Sequence, residues 1–248
     1  MVFDYTLLIL VGFIAGFVNT IAGGGTLLTM PMLIFMGLPP SVANGTNRVA
    51  ILIQTAIGVK GFQSKGVSTY PFSVYLGISA LLGSLIGAQI AVDIKGDTFN
   101  KILSAIMVLV VVLMLLKPKV SLTELVERTT GKYLYISIFI FFFLGIYGGF
   151  INAGIGFMML IVLPYVNRLS LVKSNATKVF TVCIYTIGAV VMFALNDKID
   201  WKYGFILAIG NASGAWVSSR WSVDKGDKMV KIFVAVMISI LSVKLWFF

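Results

Sequence analysis

The amino-acid sequence predicts an all-α polytopic membrane protein built from two five-segment inverted repeats with broken or re-entrant helices. Composition is the first reason. Of 248 residues, 59% are hydrophobic and 11% charged, and the mean hydropathy is +1.02. A soluble domain of this size cannot hide that much apolar surface, because its faces toward water must be polar. Segment length is the second reason. Several uncharged runs approach or exceed the roughly 20 residues that cross hydrocarbon as a helix, and their unbroken Leu, Ile and Val lack the alternation of barrel strands. The third is that the chain states one pattern twice. Gly16-Phe17-Val18-Asn19 with Gly23, Gly24, Gly25 and Pro31 returns as Gly149-Phe150-Ile151-Asn152 with Gly154, Gly156 and Pro164. Asn19 and Asn152, Gly23 and Gly156, and Pro31 and Pro164 are each 133 positions apart. Further on, Asn44-Gly45-Thr46-Asn47 answers to Asn175-Ala176-Thr177-Lys178, Gly83 to Gly214 and Asp93 to Asp224, all at an offset of 131.

The segments fall at 5–20, 26–37, 45–60, 70–92 and 99–117 in the first copy, and at 133–151, 155–166, 174–195, 201–220 and 228–247 in the second. Residues 1–118 therefore read as the first repeat, 119–132 as a linker and 133–248 as the second repeat. No second folded domain fits beside them. The first run lacks a basic flank and carries the repeat motif, so no cleaved leader is expected.

In each copy the second segment is about twelve residues, too short to cross alone. It is either half of a broken helix or the return limb of a re-entrant hairpin. Basic residues discriminate between the two. A broken crossing distributes Lys and Arg nine against ten over the two sides, which is no bias. A hairpin entering and leaving on one side gathers thirteen against six, as the positive-inside rule expects, with both termini outside and the repeats inverted. The hairpin arrangement is preferred on that ground.

Charge and rare residues narrow the function. The net charge of +10 is scattered over loops, which fits membrane orientation and anionic lipid, and no nucleic-acid partner is expected. Cys183 is alone and there is no histidine, so disulfides within the chain, imidazole metal sites and His-based acid–base chemistry are excluded. No cofactor or metal is expected. All nine acids, from Asp4 to Asp227, lie at termini, loops or span ends. Proton-coupled pumps normally keep a carboxylate or histidine in their pathway, and an intramembrane enzyme needs a nucleophile–base pair or a metal. Neither is present.

Broken helices at repeat interfaces are where transporters build substrate sites. Glycine costs a helix about 1 kcal/mol against alanine, and freed backbone groups survive at membrane depth only when buried in protein or lining a cavity. The amides of Gly23, Gly24 and Gly25, with the amino end of the short helix after them, form an anion cradle. Asn19, Thr20 and Thr26 supply neutral polar groups beside it, and Asn152 and Gly156 repeat the arrangement. Close helix packing is the plainer reading of such glycines, but two copies at equivalent positions favour the site. Asn47 and Arg48, and Lys178, open otherwise apolar helices on which Gln54 and Tyr185 share their faces. A cation there either reaches inward and draws an anion or snorkels to the interface. Polar donors and cations without buried acids fit a small anionic substrate in a lipid bilayer. A cell interior at negative potential favours anion export by about 2.3 kcal/mol per charge per 100 mV. The small residues Gly83, Gly87 and Ala88 leave room for close packing in a homo-oligomer.

The glycine run from Gly16 to Gly25 with Pro31, followed by Ala43-Asn44-Gly45-Thr46-Asn47-Arg48, resembles the sulfite exporter TauE/SafE family of bacterial membrane transporters. The resemblance covers nearly the whole chain. It implies the family fold, the cytoplasmic (inner) membrane as location, and a substrate among sulfite, sulfoacetate, thiosulfate and other small organic anions. The second copy departs from the pattern, with Met158 at the third glycine and Val179 where Arg48 would fall. An exporter working by alternating access is the expectation, with binding residues Asn19, Thr20, Gly23, Gly24, Gly25, Asn47, Arg48, Gln54, Asn152, Gly156, Lys178 and Tyr185. An anion channel, an uptake carrier for a different organic anion and a non-transporting membrane component are the alternatives.

Overall fold

In the computed structural model, residues 2–94, 98–99, 101–102, 105 and 126–247 are described. Most of the expected fifth segment of the first repeat and half of the linker lie outside them. The described residues are all-helical, with eight helices in sequence among them. They are α1 (Val2–Ile21), α2 (Thr26–Phe35), α3 (Pro40–Gln63), α4 (Phe72–Asp93), α5 (Gly131–Phe150), α6 (Ile155–Asn167), α7 (Leu171–Leu195) and α8 (Trp201–Phe247). Among them α1, α4, α5 and α7 are long and apolar enough to cross a membrane. The ten residues of α2 rise only about 15 Å, half a hydrocarbon core. α3 has the length to cross, but Asn44, Thr46, Asn47, Arg48 and Gln54 make it more polar than its neighbours, and all five are buried. α8 is interrupted at Gly226, whose φ of 69° lies in the left-handed region.

Local sequence accounts for the helix ends. Pro40 occupies the first turn of α3, where its missing N–H goes unnoticed. The hydroxyl of Ser170 accepts from the Lys173 amide at 3.2 Å and starts α7. α3 begins five residues before the expected segment. Asn47 and Arg48 are thus carried about two turns inside the helix rather than standing at its mouth.

Contacts at the two ends of the bundle fix the path of the chain. At one end Lys202 lies 4.9 Å over the Tyr5 ring, the Asp200 amide donates to Thr46 at 2.8 Å, and Gly45 packs on the Lys198 carbonyl. The starts of α1, α3 and α8 and the end of α7 meet there. At the other end the Arg128 amide donates to the Asn167 carbonyl at 2.8 Å, and Asn167 Nδ2 donates to the Arg128 carbonyl at 2.9 Å and to Ser137 at 2.8 Å. The start of α5, the end of α6 and the start of α7 meet there, and Lys173 pairs with Glu127 at 2.6 Å. The short second segments are therefore return limbs. α2 comes back to the end from which α1 sets out, α6 to the end from which α5 sets out, and the two hairpins enter from opposite ends.

Two glycine-faced seams lock the hairpins into the bundle. A Cβ on Gly16 would overlap the Asn211 backbone and one on Gly214 the Phe13 carbonyl, which brings α1 against α8. In the same way Gly83 meets the Phe142 carbonyl and Gly149 the Ser84 carbonyl, which brings α4 against α5. Small residues let helices approach this closely where lipid offers no hydrophobic drive between them. Gly83 and Gly87 face α5 and Ala88 is fully buried, so the residues read as free for a homo-oligomer are occupied inside the chain. Replacing Gly83 or Gly214 by Leu forces one seam apart. The expected loss is about 1–3 kcal/mol, measured as a lower melting temperature in detergent, while an exposed control such as Leu82→Ala stays near the parent.

Candidate functional site

The hairpin tips meet inside the bundle. α1 ends at Ile21, the chain turns through Gly23 at φ 83°, and α2 starts at Thr26 with no side chain capping its amino end. α5 ends at Phe150, the chain turns through Asn152 at φ 63° and Gly154 at φ 71°, and α6 starts uncapped as well. A Cβ on Gly23 would strike the backbone of Gly156 and Phe157, and one on Gly156 would strike the Cα of Gly23. The second turn is braced by Tyr147, whose hydroxyl donates to the Ala153 carbonyl, and by Tyr185, whose hydroxyl donates to Asn152 Oδ1. Asn152 Nδ2 reaches Thr26 in the other tip at 3.4 Å.

Each helix that ends at a tip leaves carbonyl groups and the negative end of its dipole inside protein. A cation from the opposite half covers each one. Lys178 Nζ donates to the carbonyls of Asn19 at 3.1 Å and Thr20 at 2.8 Å and to Asn175 Oδ1 at 2.7 Å. Its three protons are thereby engaged. Arg48 donates through Nη1 to the Gly148 carbonyl and through Nη2 to the Gly149 carbonyl at 2.9 Å and to Asn44 Oδ1 at 3.2 Å. Asn44 Nδ2 takes the Phe150 carbonyl at 2.8 Å, and the Phe193 ring lies 5.9 Å from the guanidinium. Arg48 is 0% and Lys178 2% exposed, so neither snorkels. Nor does either point a free fork at a ligand.

A cleft opens beside this junction, lined by Asn19, Gln54, Asn152, Gly156 and Lys178 of the expected residues and by Thr55, Ile155, Val179 and Val182. Gln54 Oε1 accepts from Asn211 Nδ2 at 3.1 Å and from Asn19 Nδ2 at 3.4 Å. That network turns Gln54 Nε2 outward, and among the described residues it has no partner. No carboxylate is buried anywhere among the described residues.

The other expected residues stand around the cleft rather than in it. Thr20 contributes its carbonyl to Lys178, and Gly23 forms the contact with Gly156. The Gly24 carbonyl accepts from Leu27, and Gly25 fits against Ala15 and Asn19. Tyr185 acts through Asn152. Asn47 and Arg48 lie toward the opposite end of α3. Sequence reasoning missed Asn211, which orients Gln54, and Thr55. It quoted Asn44 and Asn175 as motif only, although each holds its cation. An amide between Gly210 and Gly214 in an apolar helix was the available signal for Asn211.

These features describe an apolar helical bundle, four of whose helices are long enough to cross a membrane, with its centre at two apposed hairpins. Residues 8–245 match the family described as "Sulfite exporter TauE/SafE", and the chain belongs to that family. It is 28% identical over 96% of its length to a "Probable membrane transporter protein" of Haemophilus influenzae, covering 93% of that protein. It is also 27% identical over 96% of its length to "Probable membrane transporter protein YfcA" of Escherichia coli, covering 88%, and 23% over 94% to YunE of Bacillus subtilis, covering 93%. No solved structure matches.

Two substitutions test the junction. Lys178→Met leaves the Asn19 and Thr20 carbonyls unpaired, at about 1–3 kcal/mol for each buried group, so the melting temperature falls. An unchanged value would mean that water or a neighbouring donor replaces the ammonium. Gly156→Ala pushes the tips apart and is expected to lower the melting temperature as well, whereas Gly37→Ala, at a glycine whose side has open space, lowers it only by the strain of its positive φ.

Proposed function

We propose that this chain exports a small oxyanion or organosulfonate, of the sulfite, sulfoacetate or thiosulfate kind, across the bacterial cytoplasmic membrane by alternating access. The observation that carries the reading is the electrostatic balance at the junction. Two helix amino ends, at Gly25 and Gly154, are left uncapped beside a cleft that contains a buried ammonium and no carboxylate. The cations Arg48 and Lys178 bring two positive charges, and the two carbonyl ends they cover return about half a charge each. The region thus holds an excess of about one charge, which the amino ends of α2 and α6 raise to about two, and an anion would neutralise part of it. Gln54 Nε2 and the Asn19 amide are donors that need no charge to orient oxygen atoms. Lys178 acts on the cleft as a fixed charge, since its protons are engaged elsewhere.

In this reading 1–118 and 133–248 are the two inverted repeats, joined by 119–132. The end of the bundle that carries Lys60, Lys65, Arg128, Lys132, Arg168 and Lys173 faces the cytoplasm, as the positive-inside rule requires. Both termini are then outside. The family name and the transporter names of the relatives support the substrate class and the location.

Thermal unfolding of the detergent-purified protein against sulfite, sulfate, thiosulfate, sulfoacetate, taurine, acetate and chloride tests the site. Ligand at a hundred times its dissociation constant stabilises the folded state by about 2.7 kcal/mol. One sulfur oxyanion is expected to raise the melting temperature of the parent, and Gln54→Leu to reduce that rise, starting from an unliganded value lowered by the loss of the acceptor for Asn211 and Asn19. A rise with acetate alone would replace the substrate class. Saturable flux with counterflow in proteoliposomes, as opposed to non-saturating conductance, separates a carrier from a channel.

A further inference from the structure

The cleft has a counterpart that the chain keeps shut. Moving each α3 and α7 position in the cleft by the 131-residue offset converts Thr55 into Thr186, Gln54 into Tyr185, Val182 into Ile51, Val179 into Arg48 and Lys178 into Asn47. Ile51 packs with Tyr185 in one core cluster, Asn47 and Arg48 lie about one turn before Ile51 on α3, and Thr186 follows Tyr185 on α7. α3 and α7 run antiparallel, because Gly58 meets Val179 near one end and Gly45 meets Phe193 near the other. At about 1.5 Å per residue, the cleft residues lie some 12 Å from the end of the bundle that carries Lys173. Their counterparts lie about as far from the opposite end.

The counterpart group contains polar atoms with nothing to bond. Asn47 is 0% exposed, and neither its Nδ2 nor its Oδ1 has a partner. Thr186 is 0% exposed and its Oγ1 has none, and the Nε of Arg48 is also unpartnered. Sealing such groups away from water costs about 1–3 kcal/mol each, and native interiors keep few of them. In a permanent core these positions would be apolar or bonded. Their orphaned state makes sense if they serve a second arrangement in which the space between them is filled.

We infer that Asn47, Arg48, Ile51, Tyr185 and Thr186 form a second anion subsite, closed in this conformation. It opens toward the end of the bundle opposite the cleft when the cleft closes. In that arrangement the free donors of Asn47 and Arg48 Nε face the anion, and Arg48 supplies the charge that Lys178 supplies to the cleft. Ile51, 1% exposed beside Tyr185 in the core, is the apolar plug between the two. The inference rests on the transport reading and extends it: one anion is handed between two unequal stations, one held by an ammonium and one by a guanidinium.

The test uses the full chain with Cys183→Ser and one new cysteine, Thr55→Cys, Thr186→Cys or Asn47→Cys. Oriented membrane vesicles are exposed to the anionic thiol reagent 2-sulfonatoethyl methanethiosulfonate from one face or the other. Thr55→Cys is expected to label from the face nearer Lys173, and Thr186→Cys and Asn47→Cys only from the opposite face, with at least a tenfold difference in rate between faces. The inference is overturned if Thr186→Cys and Asn47→Cys stay unlabelled from both faces while Thr55→Cys reacts, or if all three react from the same face. Labelling does not depend on which anion is the natural substrate. The two-faced pattern in a protein that binds none of the sulfur anions therefore keeps this inference and sinks the substrate class.

Discussion

A helix that ends inside a membrane protein carries free carbonyls into a place where water cannot reach them, and everything at the centre of this molecule follows from that constraint. α1 and α5 both end this way. Each free backbone group would cost several kcal/mol in lipid, so each end is held by a long cationic side chain that no acid neutralises. Lys178 and Arg48 come from the half of the chain opposite to the helix they cover. The same residues thus satisfy the backbone, join the halves and set the sign of the potential in the cleft. Asn175 and Asn44 steady the cations through neutral oxygens, which preserves the charge that an aspartate would cancel.

The halves are interlocked more deeply than by those bonds. α1 lies along α8 and α5 along α4, each through glycines that leave no room for a Cβ. Each hairpin is therefore packed through its long helix against a helix of the other half. Between the seams, α3 and α7 meet with softer contacts such as Gly58 on Val179. They carry the cleft residues and their counterparts, and under the proposed transport reading this is the contact that would repack between two states.

Much of the architecture was legible along the chain. The short second segments left a hairpin or a broken helix open, because an apolar run of about twelve residues is too short to cross alone, and of the sequence signals the thirteen-to-six distribution of basic residues favoured hairpins. Asn19, Gln54, Asn152 and Lys178 stood out along the chain as polar groups in apolar helices, and the fold brings them with Gly156 to the lining of one cleft. Gly83 and Gly87 signalled close helix packing, and the fold supplies the neighbour as α5 of the same chain, because a small residue announces a close neighbour but not whose.

Local composition and spacing suffice to put the chain in a membrane, to make it helical and doubled, and to break it with glycine and asparagine at two matched places. None of that needs knowledge of which residues meet in space. The work of the cations was settled by packing. From the sequence Arg48 and Lys178 could reach for a ligand or for the interface, and in the fold each covers the helix end of the other half. The fold also decided that Gln54 is aimed by Asn211, 157 positions away, and that Asn47 is left with nothing to bond. Hydrogen bonds reach about 3 Å in space and are indifferent to distance along the chain, so which polar group meets which is set by packing.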